Sequence, residues 1–92
     1  AIEAVTRYLA VELGPNGIAV NTVSAGFVMT DAIDAFPDEL GVKDIASRPT
    51  PAGRVIFPED VATVVAMMCG TDAEMIRGQV IMVDGGETLR HE

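Results

Sequence analysis

The sequence predicts an α/β protein built in the order helix, strand, loop, helix, strand. Three observations carry that prediction. Apolar residues recur at helical spacing in 1–13 and again in 58–69. Short runs containing β-branched residues follow at 18–23 and 80–83, and glycine or proline punctuates the segment ends. Two strands with a helix between them suit a parallel pair, whose crossover is expected to be right-handed.

The first helix, 1–13, has no Ser, Thr, Asp or Asn before Ile2 to cap it, so it is expected to start earlier than Ala1. Ile2, Val5, Leu9 and Leu13 form one apolar stripe, while Ala1, Ala4, Tyr8 and Val11 add a second apolar face. One face should pack on a sheet and the other on something else. Gly14 is expected to stop the helix, Pro15 to block its continuation and Asn16-Gly17 to turn the chain into the strand near Ile18.

That strand, with Ile18, Val20 and Val23, runs into Ser24-Ala25-Gly26-Phe27-Val28-Met29-Thr30-Asp31. Gly26 is expected to allow a sharp turn, and Thr30 and Asp31 can cap a helix. Open α/β sheets bind ligands outside the carboxyl ends of their strands, where the loops diverge. Small residues at 24–26 would let a ligand reach the backbone, so this stretch is the expected ligand site.

Residues 30–51 are interrupted by Pro37, Gly41, Pro49 and Pro51, which predicts short helical turns within a mobile loop that closes over a ligand as a lid. Pro58 at a first helical position, followed by Glu59 and Asp60, opens the next helix. Val61, Val64, Val65 and Met68 give it an apolar stripe, and Gly70 ends it. The strand 80–83 is apolar on both faces, predicting burial between layers, and stops at Asp84-Gly85-Gly86.

Composition narrows the chemistry. Fourteen acidic against six basic residues give a net charge of −8, which repels phosphates and anionic surfaces, so neither nucleic acid nor membrane is an expected partner. The longest nearly unbroken apolar run, 61–69, contains Thr63 and is far shorter than the roughly 20 residues of a spanning helix. No signal peptide is visible, and a cytoplasmic location is expected. Cys69, the single cysteine, lies in an apolar helical pattern that predicts burial; with only His91 beside it, no zinc site is expected. Gly14-Pro15-Asn16-Gly17 lacks the spacing of a phosphate loop, and Ser24 has no nearby histidine partner. No carboxylate pair is marked out as acid and base, so no catalytic residue is assigned.

Asn21-Thr22-Val23-Ser24-Ala25-Gly26-Phe27-Val28-Met29-Thr30 resembles the Asn-x-Val-x-Pro-Gly-x-Val/Ile-x-Thr segment of the short-chain dehydrogenases/reductases, with Ala25 where the family usually has proline. The resemblance implies that the loop holding Ala25, Gly26, Val28 and Thr30 binds the nicotinamide end of NADPH, or of NADH. Residues 1–13 are similar to the segment after the family's Tyr-x-x-x-Lys motif, which would then lie upstream of Ala1. Residues 75–79 and 83–86 are similar to its last strand. Together the resemblance implies a carboxyl-terminal portion, 1–92, of a Rossmann-type doubly wound parallel sheet, without the nucleotide-binding first half.

Thr6-Arg7-Tyr8-Leu9-Ala10-Val11-Glu12-Leu13, Thr50-Pro51-Ala52-Gly53-Arg54 and Met75-Ile76-Arg77-Gly78-Gln79 look most like the NADPH-dependent enoyl-acyl-carrier-protein reductases of short-chain type. That implies an acyl thioester substrate on acyl carrier protein, and a homo-oligomer formed through 1–13 and the last strand. The 92 residues alone are not expected to be active, since the catalytic Tyr and Lys are absent from them. A 3-oxoacyl reductase or another short-chain dehydrogenase is the alternative; from a different class, so is a non-catalytic oligomerisation module. An upstream Tyr-x-x-x-Lys would separate the enzymes from the module.

Overall fold

The structure is a computed structural model that describes residues 1–30, 35, 37 and 40–90. Among the described residues five helices and strands follow one another: α1 (Ile2–Leu13), β1 (Thr22–Ala25), α2 (Val42–Ser47), α3 (Pro58–Met68) and β2 (Val80–Val83). The two strands pair in parallel, Thr22 opposite Val80 and Ala25 opposite Val83. The expected order and strand pairing therefore hold, with α2 supplying a helical turn in the long connection. Residues 31–34, 36, 38 and 39 of the expected lid, including the proposed cap Asp31, lie outside the described residues, as does His91.

α1 docks through its small residues. Thr6 and Ala10 are buried; the Thr6 hydroxyl donates to the Ile2 carbonyl at 2.7 Å and lies 2.6 Å from the Thr22 hydroxyl on β1. A Cβ on Gly78 would sit 3.3 Å from that of Ala10, so glycine there lets the helix close on the turn before β2. The second apolar face remains open, with Val11 79% exposed and Tyr8 66%.

α1 stops where expected, at Leu13 with Gly14 as its cap residue. Gly14 is right-handed (φ −54) and begins a 3-10 turn, Gly14–Asn16, in which proline at the second position needs no amide. Gly17 is left-handed (φ 80), and its amide closes that turn on the Gly14 carbonyl at 2.9 Å. One boundary departs from expectation: the first strand begins at Thr22 rather than Ile18. Beside 18–21 the neighbouring chain is the turn around Gly78 (φ 71), which gives one backbone bond, from the Gly78 amide to the Val20 carbonyl at 2.8 Å, in place of a regular ladder. Asn21 spans the gap with its side chain, donating to the Ile76 carbonyl at 2.8 Å and accepting from the Gln79 amide at 3.0 Å.

α3 starts at Pro58 as expected. Asp60, in its first turn, accepts the Phe57 amide at 2.8 Å, which is half of a capping box. The same carboxylate takes two bonds from the Arg54 guanidinium, at 2.7 and 2.8 Å. Val61, Val64 and Met68 are half-buried, but Val65 is 45% exposed. Cys69 is exposed, contrary to the expected burial. A helix advances about 100° per residue, so Cys69 falls about 80° beyond Val61, off the inward stripe.

β2 occupies 80–83 as expected, yet it is not buried on both faces: three residues are half-buried and Met82 is 45% exposed. Among the described residues the sheet has two strands, and α3 packs against both of them without burying either completely. Surface and shape agree. The accessible area, 6512 Å², exceeds the roughly 5,100 Å² of a compact protein this size. The radius of gyration, 15.6 Å, exceeds the roughly 12 Å of a compact 92-residue domain.

Candidate functional site

The carboxyl ends of β1 and β2 lie side by side, and the loops leaving them build the site. From β1 the chain passes through Gly26 and Phe27 to Val28, which forms a parallel bridge with Ile56. The Met29 amide donates to the Ile56 carbonyl at 2.8 Å. In such a bridge the bonds come from the neighbours of Val28, so its own N–H and C=O point to the opposite side. Among the described residues they have no hydrogen-bond partner, nor does the exposed Thr30 hydroxyl. Gly26 is exposed, and it is not in the left-handed region expected of a sharp turn. A Cβ there would make only ordinary contacts, 3.6 Å from Ile56 and 3.7 Å from Asp84.

A cleft of about 190 Å³ opens beside this loop, lined by Gly26, Phe27, Ile45, Ala46, Ile56 and Thr88, with Arg48, Thr50 and Glu87 completing it. Of the four residues expected at the cofactor, Gly26 alone lines it; Ala25 ends the strand, and Val28 and Thr30 lie further along the loop. The volume is below the roughly 300 to 1,000 Å³ of a drug-sized pocket, so the cleft holds one portion of a ligand. A larger hollow of about 310 Å³ lies between Met67, Met68, Ala73 and Ile76. Ile76 precedes β2, so that hollow is at the amino ends of the strands, the wrong end for an α/β ligand site.

From β2 the chain enters Asp84, which is buried. Its carboxylate accepts the Gly86 amide at 3.0 Å and the Thr88 amide at 2.8 Å. Hydrogen bonds from the Thr88 hydroxyl, then from the Thr88 and Gly86 amides, hold the Asp84 carboxyl below the usual range. Gly85 (φ 64) packs against buried Thr50, and a Cβ on it would lie 2.8 Å from Thr50 Cβ. Thr50 is itself fixed, its hydroxyl donating to the Arg54 carbonyl at 2.7 Å. The Ala52 amide donates to the Gly85 carbonyl at 3.0 Å, locking 50–54 to the end of β2.

Phe27 belongs to the expected ligand stretch, whereas Thr50, Ile56, Asp84 and Thr88 form the site without being marked as ligand residues in the sequence. Asp84 had a local signal, because an aspartate before two glycines can bond the backbone two residues on. Thr50 and Ile56 join the site through contacts distant in sequence. Among the described residues no cluster of three or more His, Cys, Asp or Glu is placed to hold a metal ion, and no described helix is long and apolar enough to cross a membrane.

Asp60 and Asp84 together predict an acid response. Asp60 also lies well below the usual carboxylate range, first through its bonds from Arg54 and then through the Phe57 amide. A carboxyl depressed on folding stabilises the native state above its unfolded pKa, about 4, and that contribution is lost as pH falls. Stability of the intact protein, followed by urea unfolding, should hold above about pH 5 and decline below about pH 4. Asp60→Asn should flatten that decline; an unchanged slope would show that the Arg54 pair does not set it.

The sequence profile described as "Enoyl-(Acyl carrier protein) reductase" matches residues 1–88. Short-chain reductase protein NovJ of Streptomyces niveus is 36% identical over 91 residues, covering 94% of this chain and 35% of NovJ. A tropinone reductase homolog of Arabidopsis thaliana is 39% identical over 89 residues, covering 97% of this chain and 34% of the plant protein. The 3-oxoacyl-[acyl-carrier-protein] reductase FabG of Aquifex aeolicus is 41% identical over 81 residues, covering 88% and 32% respectively. A solved Escherichia coli K-12 structure described as an oxidoreductase superposes with a TM-score of 0.73 at 29% identity, covering 97% of this chain and 32% of that one. The chain thus spans about a third of the length of the curated relatives it matches. Its α/β arrangement is that of a Rossmann-type oxidoreductase, and the chain belongs to the short-chain dehydrogenase/reductase family.

Proposed function

We propose that the intact protein reduces an enoyl thioester with NADPH, the acyl group being carried on acyl carrier protein. The observation that carries the cofactor half is the loop after β1. The outward N–H and C=O of Val28 and the Thr30 hydroxyl lack protein partners among the described residues, and Gly26 leaves the backbone approachable. A carboxamide can set an N–H against the Val28 carbonyl and its own C=O against the Val28 amide, and a phosphate can accept from Thr30. NADPH carries both groups, and when bound it supplies the hydride. The chain's part is to orient the nicotinamide, with Ala25 and Gly26 keeping bulk away from it.

The cleft beside Phe27, Ile45 and Ala46 suits an apolar portion of the substrate. The family profile's description supports the enoyl reading, whereas FabG at 41% identity favours 3-oxoacyl reduction as the second. Following NADPH oxidation by the intact protein with a trans-2-enoyl and a 3-oxoacyl thioester decides between them. NADH in place of NADPH tests the nucleotide. Assembly as a homo-oligomer through α1 and β2 belongs to the same reading, supported by the open Tyr8–Val11 face, as does a cytoplasmic location.

Thr30→Val keeps the side chain's shape and removes its hydroxyl. In the intact protein it should weaken NADPH binding by about 1 to 2 kcal/mol. A dissociation constant equal to wild type would remove Thr30 from the cofactor site.

A further inference from the structure

Asp84 is buried at the point where the site's separate pieces meet, yet it takes no part in the proposed ligand contacts. It follows β2 directly and faces Gly26 across the strand ends, since a Cβ built on Gly26 would lie 3.7 Å from Asp84 Cβ. Each carboxylate oxygen is committed to the chain's own backbone, Oδ1 to the Gly86 amide at 3.0 Å and Oδ2 to the Thr88 amide at 2.8 Å. These bonds curl residues 84–88 so that Glu87 and Thr88 form a wall of the cleft shared with Gly26 and Phe27. The intervening Gly85 carries the same constraint outward, because its carbonyl accepts the Ala52 amide at 3.0 Å. A carboxylate committed to two amides and shielded from solvent is poorly placed to exchange protons with a substrate. It is well placed to hold a wall still.

We propose that Asp84 is a positioning residue for the substrate: it fixes the Glu87–Thr88 wall opposite Gly26 and Phe27, setting substrate affinity without touching the ligand. This rests on the reading of the cleft as the substrate's side of the cofactor loop. The nucleotide-facing atoms, Val28 and Thr30, lie beyond Gly26 on a backbone that Ile56 holds independently. Loosening the wall should therefore alter substrate binding and spare nucleotide binding.

Asp84→Asn is close to isosteric, but its amide nitrogen must face one of the two backbone N–H donors, so one bond is replaced by a donor–donor contact. In the full-length protein, with a short trans-2-enoyl or 3-oxoacyl thioester as probe, KM should rise about tenfold, the change expected when a hydrogen bond to a charged group is lost. The maximal rate and the NADPH dissociation constant should stay within about threefold of wild type. Amide exchange at Gly86 and Thr88 should quicken in the same variant. If Asp84→Asn does not fold, Asp84→Ser, whose hydroxyl can still accept one of the two amides, should raise KM in the same direction with the maximal rate within about threefold of wild type. An unmoved KM in whichever variant folds overturns the proposal, as does a fall in maximal rate with KM unchanged. Wild-type protein that binds NADPH but turns over neither thioester overturns the functional reading and this proposal with it; wild-type turnover with an unmoved variant KM overturns this proposal alone.

Discussion

Gly85→Ala should destabilise the intact protein by about 2 to 5 kcal/mol. Two costs combine: a left-handed conformation (φ 64) for a residue bearing a Cβ, about 1 to 2 kcal/mol, and overpacking against Thr50, about 1 to 3 kcal/mol. Thr50 has little room to retreat, being buried and bonded to the Arg54 carbonyl through both its amide and its hydroxyl. Urea unfolding of Gly85→Ala, Thr50→Gly and the double variant separates the two costs. The pair should couple favourably by about 1 to 3 kcal/mol, because glycine at 50 removes the obstructing side chain. Additive costs would show that Gly85 is needed for its backbone angle alone.

The 92 residues by themselves should fail to give a cooperatively folding monomer and should bind NADPH far more weakly than the intact protein. Among the described residues no large side chain is fully buried, and Ile2, Val5, Tyr8, Val11, Met67, Met75 and Leu89 are each more than half exposed. Fixing each residue's backbone costs about 1 to 2 kcal/mol, which only extensive apolar burial can offset. Each strand of the two-stranded sheet also keeps one open edge, available to another chain. Sedimentation and calorimetry on the purified chain check this directly. A monomer with a sharp unfolding transition would mean that the exposed face of α1 needs no cover.

The local parts of the fold were legible in the sequence. Pro58 followed by two acids marks the start of α3, and the uninterrupted Val80-Ile81-Met82-Val83 run marks β2. What could not be read was set by partners far along the chain. The first strand starts late because Asn21 is bonded to residues 55 and 58 positions away. The stop after α1, by contrast, is local and was legible: the helix ends at Leu13, Gly14 caps it, and Asn16-Gly17 makes the turn that follows. The expected site showed the same division. Gly26, Val28 and Thr30 stand out in a motif, whereas the wall opposite them depends on how Asp84 folds the chain back and on Thr50 meeting Gly85.

The central claim is that the loop after β1 receives the nicotinamide end of a dinucleotide. Backbone amide exchange of the intact protein, compared with and without saturating NADPH, tests it at the residues concerned. Protection should appear at 26–30, centred on the Val28 amide, while 66–76 around the distant hollow stays unchanged. Nucleotide bound with no change at 26–30, or with protection confined to 66–76, would contradict the account.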